Sequence, residues 1–414
     1  MAYGAGMTKV LICGVPYGCD NVGDEAILAS IVAHLREIQD GLEISVVTVK
    51  PEETARKLDI KGVPLVFDPH SGRPMWTDEI RQACEWAHVY IHGGATGIHD
   101  YPMHMLEGLR IARECGCKTV VCGTGGGPYN HKFYEGRKTK LLGIASKATL
   151  GLVNFRKIAE GIVTKKYRRA ILKGLNAVDL LLVRDAETRR TLIDYGMDSG
   201  KIHVSGDSVF ALEPAASNAA DKIAADANLW NDDKPIVGVC ISSQKQVVDM
   251  DAVVRMCDAI IEKYGAHVLF VPMNPHTDDK VGDDIAAKMK RGEETRMIRG
   301  YREPEDLLAF LSRLHVIISS RLHLIIMGAV AGVPSVGIGR GSGKITNFLG
   351  RFGLQAAGEY LDVNYDLLSR RFDDVWNRRD ELSGVINVEM KKAKDLFKES
   401  MRLMTPILES DKGG

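Results

Sequence analysis

Short apolar runs alternate with amphipathic segments along most of the chain. The runs are rich in Val, Ile and Leu, a pattern typical of parallel strands that are buried on both faces. The segments between them carry apolar residues at helical spacing, so the alternation predicts parallel βαβ units. The predicted strands fall in two series, residues 9–13, 44–49, 64–67, 88–91, 119–122 and 180–183, then residues 235–241, 268–271, 316–319 and 335–338.

The segment between the two series, residues 213–235, is rich in Ala, Asp and Asn and poor in large apolar residues, and we interpret it as a domain boundary. We expect an N-terminal domain over 1–215, a linker over 216–234, a C-terminal domain over 235–365 and a helical tail over 366–414. The expected fold class is α/β, with two doubly wound, Rossmann-like parallel-sheet domains facing one another across a cleft.

Composition narrows the classes of function. The 414 residues are 45% hydrophobic and 26% charged, with a formal net charge of zero, which argues against a nucleic-acid-binding protein. The eight cysteines are scattered and show no CxxC spacing, so we expect free thiols in a reducing compartment and no metal site. The first residues do not resemble a signal peptide, and no apolar run is long enough to span a membrane. We therefore expect a cytoplasmic protein.

Three glycine-rich loops follow predicted strands. Their sequences are GVPYGCDNVGDEAIL after the first strand, IHGGATGIHD after the fourth and CGTGGGPYN after the fifth. Such loops let backbone amides approach an anion or a sugar hydroxyl, and ligands in doubly wound folds bind beyond the carboxyl ends of the strands. Each loop alone is also consistent with packing, but three in one sheet favour a ligand.

Residues 317–334, IISSRLHLIIMGAVAGVP, place an arginine and a histidine within an apolar run. The pattern predicts a strand over 315–319, a buried helix over 322–331 that ends at Gly332, and Arg321 and His323 at the first turn of that helix. The guanidinium suits a phosphate or carboxylate, and the imidazole adds a titratable proton. The alternative is that Arg321 pairs with a carboxylate between domains and that His323 is a hydrogen-bonded core residue.

Six motifs in order resemble the polysaccharide pyruvyl transferase family. They are GCDNVGDEAI, HGGATGIHD, GTGGGP, VRDAETRRTLIDYG, GDSVF and SSRLHLIIMGAVAGVPSVGIG. The resemblance implies a fold akin to the GT-B glycosyltransferases. It also implies transfer of pyruvate from phosphoenolpyruvate to two hydroxyls of a sugar as a ketal, in cell-surface polysaccharide biosynthesis. Phosphoenolpyruvate is then a co-substrate, and no further cofactor is expected.

The resemblance also implies roles for individual residues. Arg321 and His323 belong to the donor site, and because ketal formation needs a proton at the methylene carbon, we assign His323 as general acid and Arg321 as anion clamp. The other expected donor-side residues are Arg184, Lys344, Ser342 and His276. The residues expected on the acceptor side are Asn21, Gly23, Asp24, Gly93, Gly94, Asp100, Gly125, Gly126 and Asp207. For Asn21, Asp24, Asp100 and Asp207 the alternative is a helix cap or a turn.

The chain departs from the family pattern at two loops. Gly93-Gly94-Ala95 stands where three glycines are common, and GRGSGK stands where a Tyr-x-x-Lys pattern is common. Because of the second departure, the alignment of Lys344 with the family pattern and its contacts with the donor are not determined by the resemblance. A lysine on a loop is also often simply solvated. Asp185, beside Arg184, is expected to cap the helix that follows.

Residues 132–173 carry twelve Lys and Arg against two acidic residues, Glu135 and Glu160. We expect this segment, helical over 146–175, to lie on an anionic membrane surface where lipid-linked saccharide acceptors are made. The alternative is a solvated helix face.

Two other functions share this architecture. A sugar-nucleotide glycosyltransferase would use Arg321 and Lys344 to hold a diphosphate. A non-catalytic saccharide-binding or regulatory protein would bind ligand without turnover.

Overall fold

The computed structural model describes residues 7–94, 97–98, 102–126, 155–216, 218–243, 247 and 249–409, with the backbone alone over 155–163. The chain forms two compact units. The first contains Met1–Gly18, Ile31–Asp207 and Lys398–Gly414, and the second contains Cys19–Ser30 and Ser208–Phe397.

The first unit is built on a seven-stranded parallel sheet in the order β3-β2-β1-β4-β5-β6-β7. Its strands are β1 (Lys9–Tyr17), β2 (Glu43–Thr48), β3 (Lys61–Pro64), β4 (Val89–Gly93), β5 (Lys118–Thr124), β6 (Leu180–Val183) and β7 (His203–Val204). The helices between them are α1 (Val22–Ile38), α2 (Pro51–Leu58), α3 (Asp78–Trp86), α4 (Pro102–Glu114), α5 (Phe155–Leu175) and α6 (Ala186–Tyr195). The strand order reverses between β1 and β4, which pair in register from Val10 with Val89 to Gly14 with Gly93.

The second unit contains a five-stranded parallel sheet in the order β10-β9-β8-β11-β12. After helix α7 (Asn218–Asp226), its strands are β8 (Ile236–Cys240), β9 (His267–Phe270), β10 (Arg296–Met297), β11 (Val316–Ser319) and β12 (Ser335–Gly337). The later helices are α8 (Met250–Glu262), α9 (Pro275–Ala286), α10 (Pro304–Leu311), α11 (Leu322–Val330), α12 (Lys344–Gly350), α13 (Tyr365–Asn377) and α14 (Arg379–Arg402). The short helix α15 (Thr405–Leu408) follows and belongs to the first unit. Here the order reverses between β8 and β11, so the carboxyl end of β11 is a topological switch point.

The expected fold class, two Rossmann-like parallel sheets, is confirmed by this topology. The helix after β11 also ends as predicted, since Gly332 has a φ of +78° and its amide donates to the Ala329 carbonyl. Among the described residues, no helix is both long and apolar enough to cross a bilayer.

The compact units divide the chain differently from the expected domains. Residues Cys19–Ser30, which include the start of α1, group with the second unit, and so do α13 and α14 as far as Phe397. The expected linker contains α7, which buries Ala220 and Ile223 and packs against α10. A short amphipathic helix in an Ala-rich segment is easily read as a linker, because two buried side chains give little periodicity.

Candidate functional site

Arg321 lies between β11 and α11 with its side chain buried in the second unit. Its Nε donates to Oδ2 of Asp278 at 3.1 Å, and its Nη2 donates to Oδ1 at 2.5 Å. Asp278 is in the first turn of α9 and is 3% exposed. A bidentate pair of this kind neutralises both charges in a place from which water is largely excluded.

Asp278 is held from its other side as well. It accepts hydrogen bonds from the backbone amides of Met273 and Asn274 at 3.2 and 3.1 Å. Arg321, which was expected to clamp the donor anion, is therefore charge-compensated within the protein, and its role as a clamp stays a prediction. Its partner is a carboxylate of the same unit, and the pair ties the start of α11 to the start of α9.

His323 follows on the first turn of α11 and is half-buried against the loop that opens α1. A β-carbon built on Gly23 would lie 2.6 Å from Cγ of the imidazole, closer than side chains approach one another. Only glycine at residue 23 lets the ring occupy this position. Two motifs that lie 300 residues apart in the sequence, NVGDE and RLH, thus meet in one place.

Asn21 and Asp24 order this loop. The Asn21 side chain donates to the Asp24 carboxylate at 2.7 Å and accepts from the amide of Gly23 at 3.3 Å. The amide of Val22 donates to the carbonyl of Met273 at 2.8 Å, which fixes the loop beside Asp278. Asn21, Gly23 and Asp24 were expected on the acceptor side of the N-terminal domain. The structure instead groups them with His323 in the second unit.

Burial raises the pKa of the Asp24 carboxyl above its ordinary value of 3.8. The charges of His323 and Arg321 and the hydrogen bond from Asn21 act in the opposite direction, but desolvation is the larger effect. A carboxyl with a raised pKa within electrostatic reach of an imidazole is an arrangement suited to proton transfer.

His276 lies at the exposed rim of the same cluster. Its Nε2 is 2.8 Å from Oδ2 of Asp20, a residue whose φ of 55° bends the chain just before Asn21. The structure therefore brings His276 close to the NVGDE loop, although its side chain is 68% exposed.

Ser342 and Lys344 lie in the loop after β12, at the same sheet edge as Arg321, because β11 and β12 are parallel neighbours. The loop folds around the carboxylate of Glu359, which accepts a hydrogen bond from the amide of Gly341. The amide of Gly341 is therefore engaged by an acidic side chain of the protein. Lys344 begins α12 and is half-buried.

The glycine-rich loops of the first unit pack against protein groups. The amide of Gly94 donates to the carbonyl of Cys122 at 2.8 Å, and the amide of Gly126 donates to the Thr188 hydroxyl at 2.8 Å. A β-carbon on Gly125 would lie 2.5 Å from Cζ of Arg184. Gly93 ends β4 at the switch point of the first sheet.

Arg184 is buried at the carboxyl end of β6, next to two carboxylates of its own unit. Nη1 is 3.8 Å from Oδ2 of Asp207, and Nε is 3.3 Å from Oδ2 of Asp185. Asp185 also caps α6, as predicted, by accepting from the amide of Thr188. Three motifs, GTGGGP, VRD and GDS, therefore meet around one guanidinium, which is compensated by two acids and does not act as a lone cation.

Asp100 and residues 132–154 lie outside the described residues. The part of the expected basic helix that is described is α5, residues Phe155–Leu175. Within the part of the chain that the structure describes, no group of three or more His, Cys, Asp or Glu side chains is placed to hold a metal ion.

Two acidic residues that organise these loops, Asp278 and Glu359, were not predicted from the sequence. Asp278 follows β9, which is a neighbour of β8 and therefore close to the switch point. Its position in the first turn of a helix was the feature of the sequence that indicated a role at this site. Glu359 lies in an irregular segment, and no sequence pattern distinguishes it.

Comparison with known families gives one match over most of the chain. A family model described as Polysaccharide pyruvyl transferase matches residues 21–342, a range that includes the NVGDE loop, Arg184, Asp207, Arg321 and His323. No curated protein matches the chain at a significant level.

Solved structures show a similar fold at low identity. A putative UDP-N-acetylglucosamine 2-epimerase from Listeria monocytogenes is 12% identical with a TM-score of 0.62, and 98% of each chain is covered. A UDP-GlcNAc 2-epimerase from Neisseria meningitidis, solved with UDP-GlcNAc, is 10% identical with a TM-score of 0.59, over 93% of this chain and 98% of that one. The enzyme of the same name from Methanocaldococcus jannaschii is 12% identical with a TM-score of 0.57, over 90% and 93%. At these identities the likeness shows the GT-B-type fold alone.

Proposed function

Because the chain belongs to the polysaccharide pyruvyl transferase family, we propose that it transfers the pyruvyl group of phosphoenolpyruvate to two hydroxyls of a saccharide as a ketal. The observation that supports this most strongly is the meeting of His323 with Gly23 and Asp24. His323, a candidate acid, and Asp24, a candidate base, are within electrostatic reach of one another near the switch point of the second sheet.

The reaction needs a proton at the methylene carbon of phosphoenolpyruvate. Protonation converts that carbon to a methyl group and makes the adjacent carbon electrophilic, so that a sugar hydroxyl can bond to it. We assign the donation of this proton to His323 in its imidazolium form. General acid assistance of this kind is typically worth about a hundred- to ten-thousandfold in rate.

The attacking hydroxyl must lose its proton as its oxygen bonds to carbon. We assign this proton to the Asp24 carboxylate, which Asn21 holds by a 2.7 Å hydrogen bond. The carbon–oxygen bond to phosphate then breaks, and phosphate leaves with the proton that Asp24 took up. The second hydroxyl bonds to the same carbon and gives its proton to His323, which restores the imidazolium. One phosphoenolpyruvate and one diol thus give one ketal and one inorganic phosphate.

Arg321 receives a different role from the expected one. Because Asp278 compensates its charge, we assign it as a positioning residue that fixes the first turn of α11. The first turn of a helix carries the positive end of the helix dipole and favours a negative ligand, so we assign the phosphate or carboxylate of the donor to this turn. Ser342 and Lys344, at the same sheet edge, are the further candidates for holding the donor.

The test is a phosphate-release assay with phosphoenolpyruvate and a panel of lipid-linked and nucleotide-linked saccharides. The proposal predicts phosphate release that depends on a saccharide. Replacing phosphoenolpyruvate with UDP-sugars is the comparison arm. Release of a nucleoside diphosphate in that arm, with no phosphate from phosphoenolpyruvate, would identify a glycosyltransferase and contradict the proposal. Binding without turnover in either arm would contradict it as well.

A further inference from the structure

Helix α5 presents two faces of different character. Tyr167, Ile171 and Leu175 recur every four residues and are buried in the core of the first unit. Lys165, Lys166, Arg169 and Lys173 are exposed on the opposite side of the helix. The buried face therefore fixes the direction in which these four cations point.

Among the residues whose side chains the structure describes, no acidic neighbour relieves the charge of these cations. Lys165, Arg169 and Lys173 follow one another at a spacing of four residues, where like charges repel. Among the described residues, none of the four forms an ion pair. Elsewhere, Arg110 of α4 pairs with Glu107 and Glu114.

We propose that this basic face of α5, formed by Lys165, Lys166, Arg169 and Lys173, binds the surface of an anionic lipid bilayer. Three of the four are lysines, which act as compact, mobile point charges and suit a diffuse negative surface better than one fixed ligand.

A nucleic acid is the competing partner for such a face. The zero net charge of the whole chain disfavours it, because a duplex binder usually carries a basic excess over its domain. For binding to a bilayer, a local cluster of cations is enough, because each Lys or Arg close to the surface adds its own attraction. Charges elsewhere in the chain matter little, since the attraction decays within a Debye length. The proposal does not depend on the pyruvyl transfer reaction.

The experiment is flotation of the full chain with vesicles of phosphatidylglycerol and phosphatidylcholine, against vesicles of phosphatidylcholine alone, at low and high salt. We expect binding to the anionic vesicles that is lost at high salt. Changing all four residues to Gln should weaken that binding by about tenfold or more, since four surface attractions are removed together. The variant should keep the wild-type melting temperature, because the four side chains are exposed.

A matched control changes four exposed lysines from other elements to Gln, at Lys201, Lys222, Lys290 and Lys391. It removes the same charge, and we expect it to bind vesicles as the wild type does. An equal loss in the control would show that total charge matters rather than this face, and would overturn the proposal. So would unchanged binding in the α5 variant, or a wild type that binds duplex DNA but no vesicles.

Discussion

Arg321 and Asp278 form a bidentate ion pair inside the second unit, with Nε and Nη2 at 3.1 and 2.5 Å from the two carboxylate oxygens. Both side chains are buried, so each charge depends on the other for compensation. The pair connects the first turn of α11, which carries His323, to the first turn of α9.

Removing one partner of this pair should be strongly destabilising. We expect Asp278→Ala to lower the free energy of unfolding by about 3–5 kcal/mol, because it leaves the Arg321 charge buried without compensation. The Arg321→Ala, Asp278→Ala double variant should lose less than the sum of the two single losses. Urea denaturation of the four proteins measures this coupling, and additive losses would show that the pair is not an energetic unit.

Gly23 should be required for catalysis rather than for folding. In Gly23→Ala the new methyl group must displace the His323 imidazole, so we expect kcat to fall by about a hundredfold or more. Gly384→Ala is the matched control, because a β-carbon there meets no atom within 4 Å and its φ is not positive. Phosphate release and thermal denaturation are measured on both. A Gly23→Ala enzyme with wild-type kcat would show that the ring position does not matter.

Asp24 makes a prediction about pH. Its folded-state pKa lies above the ordinary 3.8 because burial disfavours the carboxylate. The neutral form therefore suits the fold. The contribution of the neutral Asp24 carboxyl to the free energy of unfolding is fully present below pH 3.8. It is lost as the pH rises through the raised pKa. Asp24→Asn should remove this loss. The unfolding free energy of the variant, relative to that of the wild type, should therefore increase as the pH rises through this range. Urea denaturation at several pH values measures the difference.

The same residue should set the acidic limb of the activity profile. As the proposed base, Asp24 must be ionised, so kcat/KM should rise with an apparent pKa above 3.8. In Asp24→Asn the rate should fall sharply and this limb should disappear. A limb that survives in the variant would assign the proton transfer to another group.

In the first unit, Arg184 should stabilise Asp207. Asp207 is 2% exposed, so Arg184→Ala leaves a buried carboxylate beside a cavity. We expect a loss of about 3–5 kcal/mol in unfolding free energy. Adding Asp207→Asn should recover part of it, because the neutral amide costs less to bury than the carboxylate. No recovery would mean that packing of the arginine, rather than charge, is the main contribution.

The sheets were largely predictable from the sequence because buried parallel strands are continuous apolar runs. The predicted strand at 180–183 has the bounds of β6, and the one at 316–319 has the bounds of β11. The strand expected at 64–67 lies earlier, at Lys61–Pro64, where it pairs with β2. The two-residue strands β7 and β10 were missed, since so short a segment carries no periodicity.

The site was predictable in its parts but not in its pairings. The position of His323 in the first turn of a helix could be predicted, because the preceding strand, the Arg-x-His pattern and Gly332 together mark where that helix begins and ends. The compensation of Arg321 by Asp278 could not, because it depends on how the first turns of α9 and α11 are placed relative to one another. The approach of Gly23 to His323 likewise connects segments 300 residues apart, and nothing local in either motif indicates it.

His323 is proposed to protonate phosphoenolpyruvate for transfer to a saccharide. The most direct test incubates isotopically labelled phosphoenolpyruvate with a saccharide substrate and follows the label by mass spectrometry, with wild type and His323→Gln. The account predicts a labelled ketal from the wild type, a rate at least about a hundredfold lower in the variant and unchanged binding of phosphoenolpyruvate. A variant that forms the ketal at the wild-type rate, or a wild type that leaves every saccharide unlabelled, would contradict it.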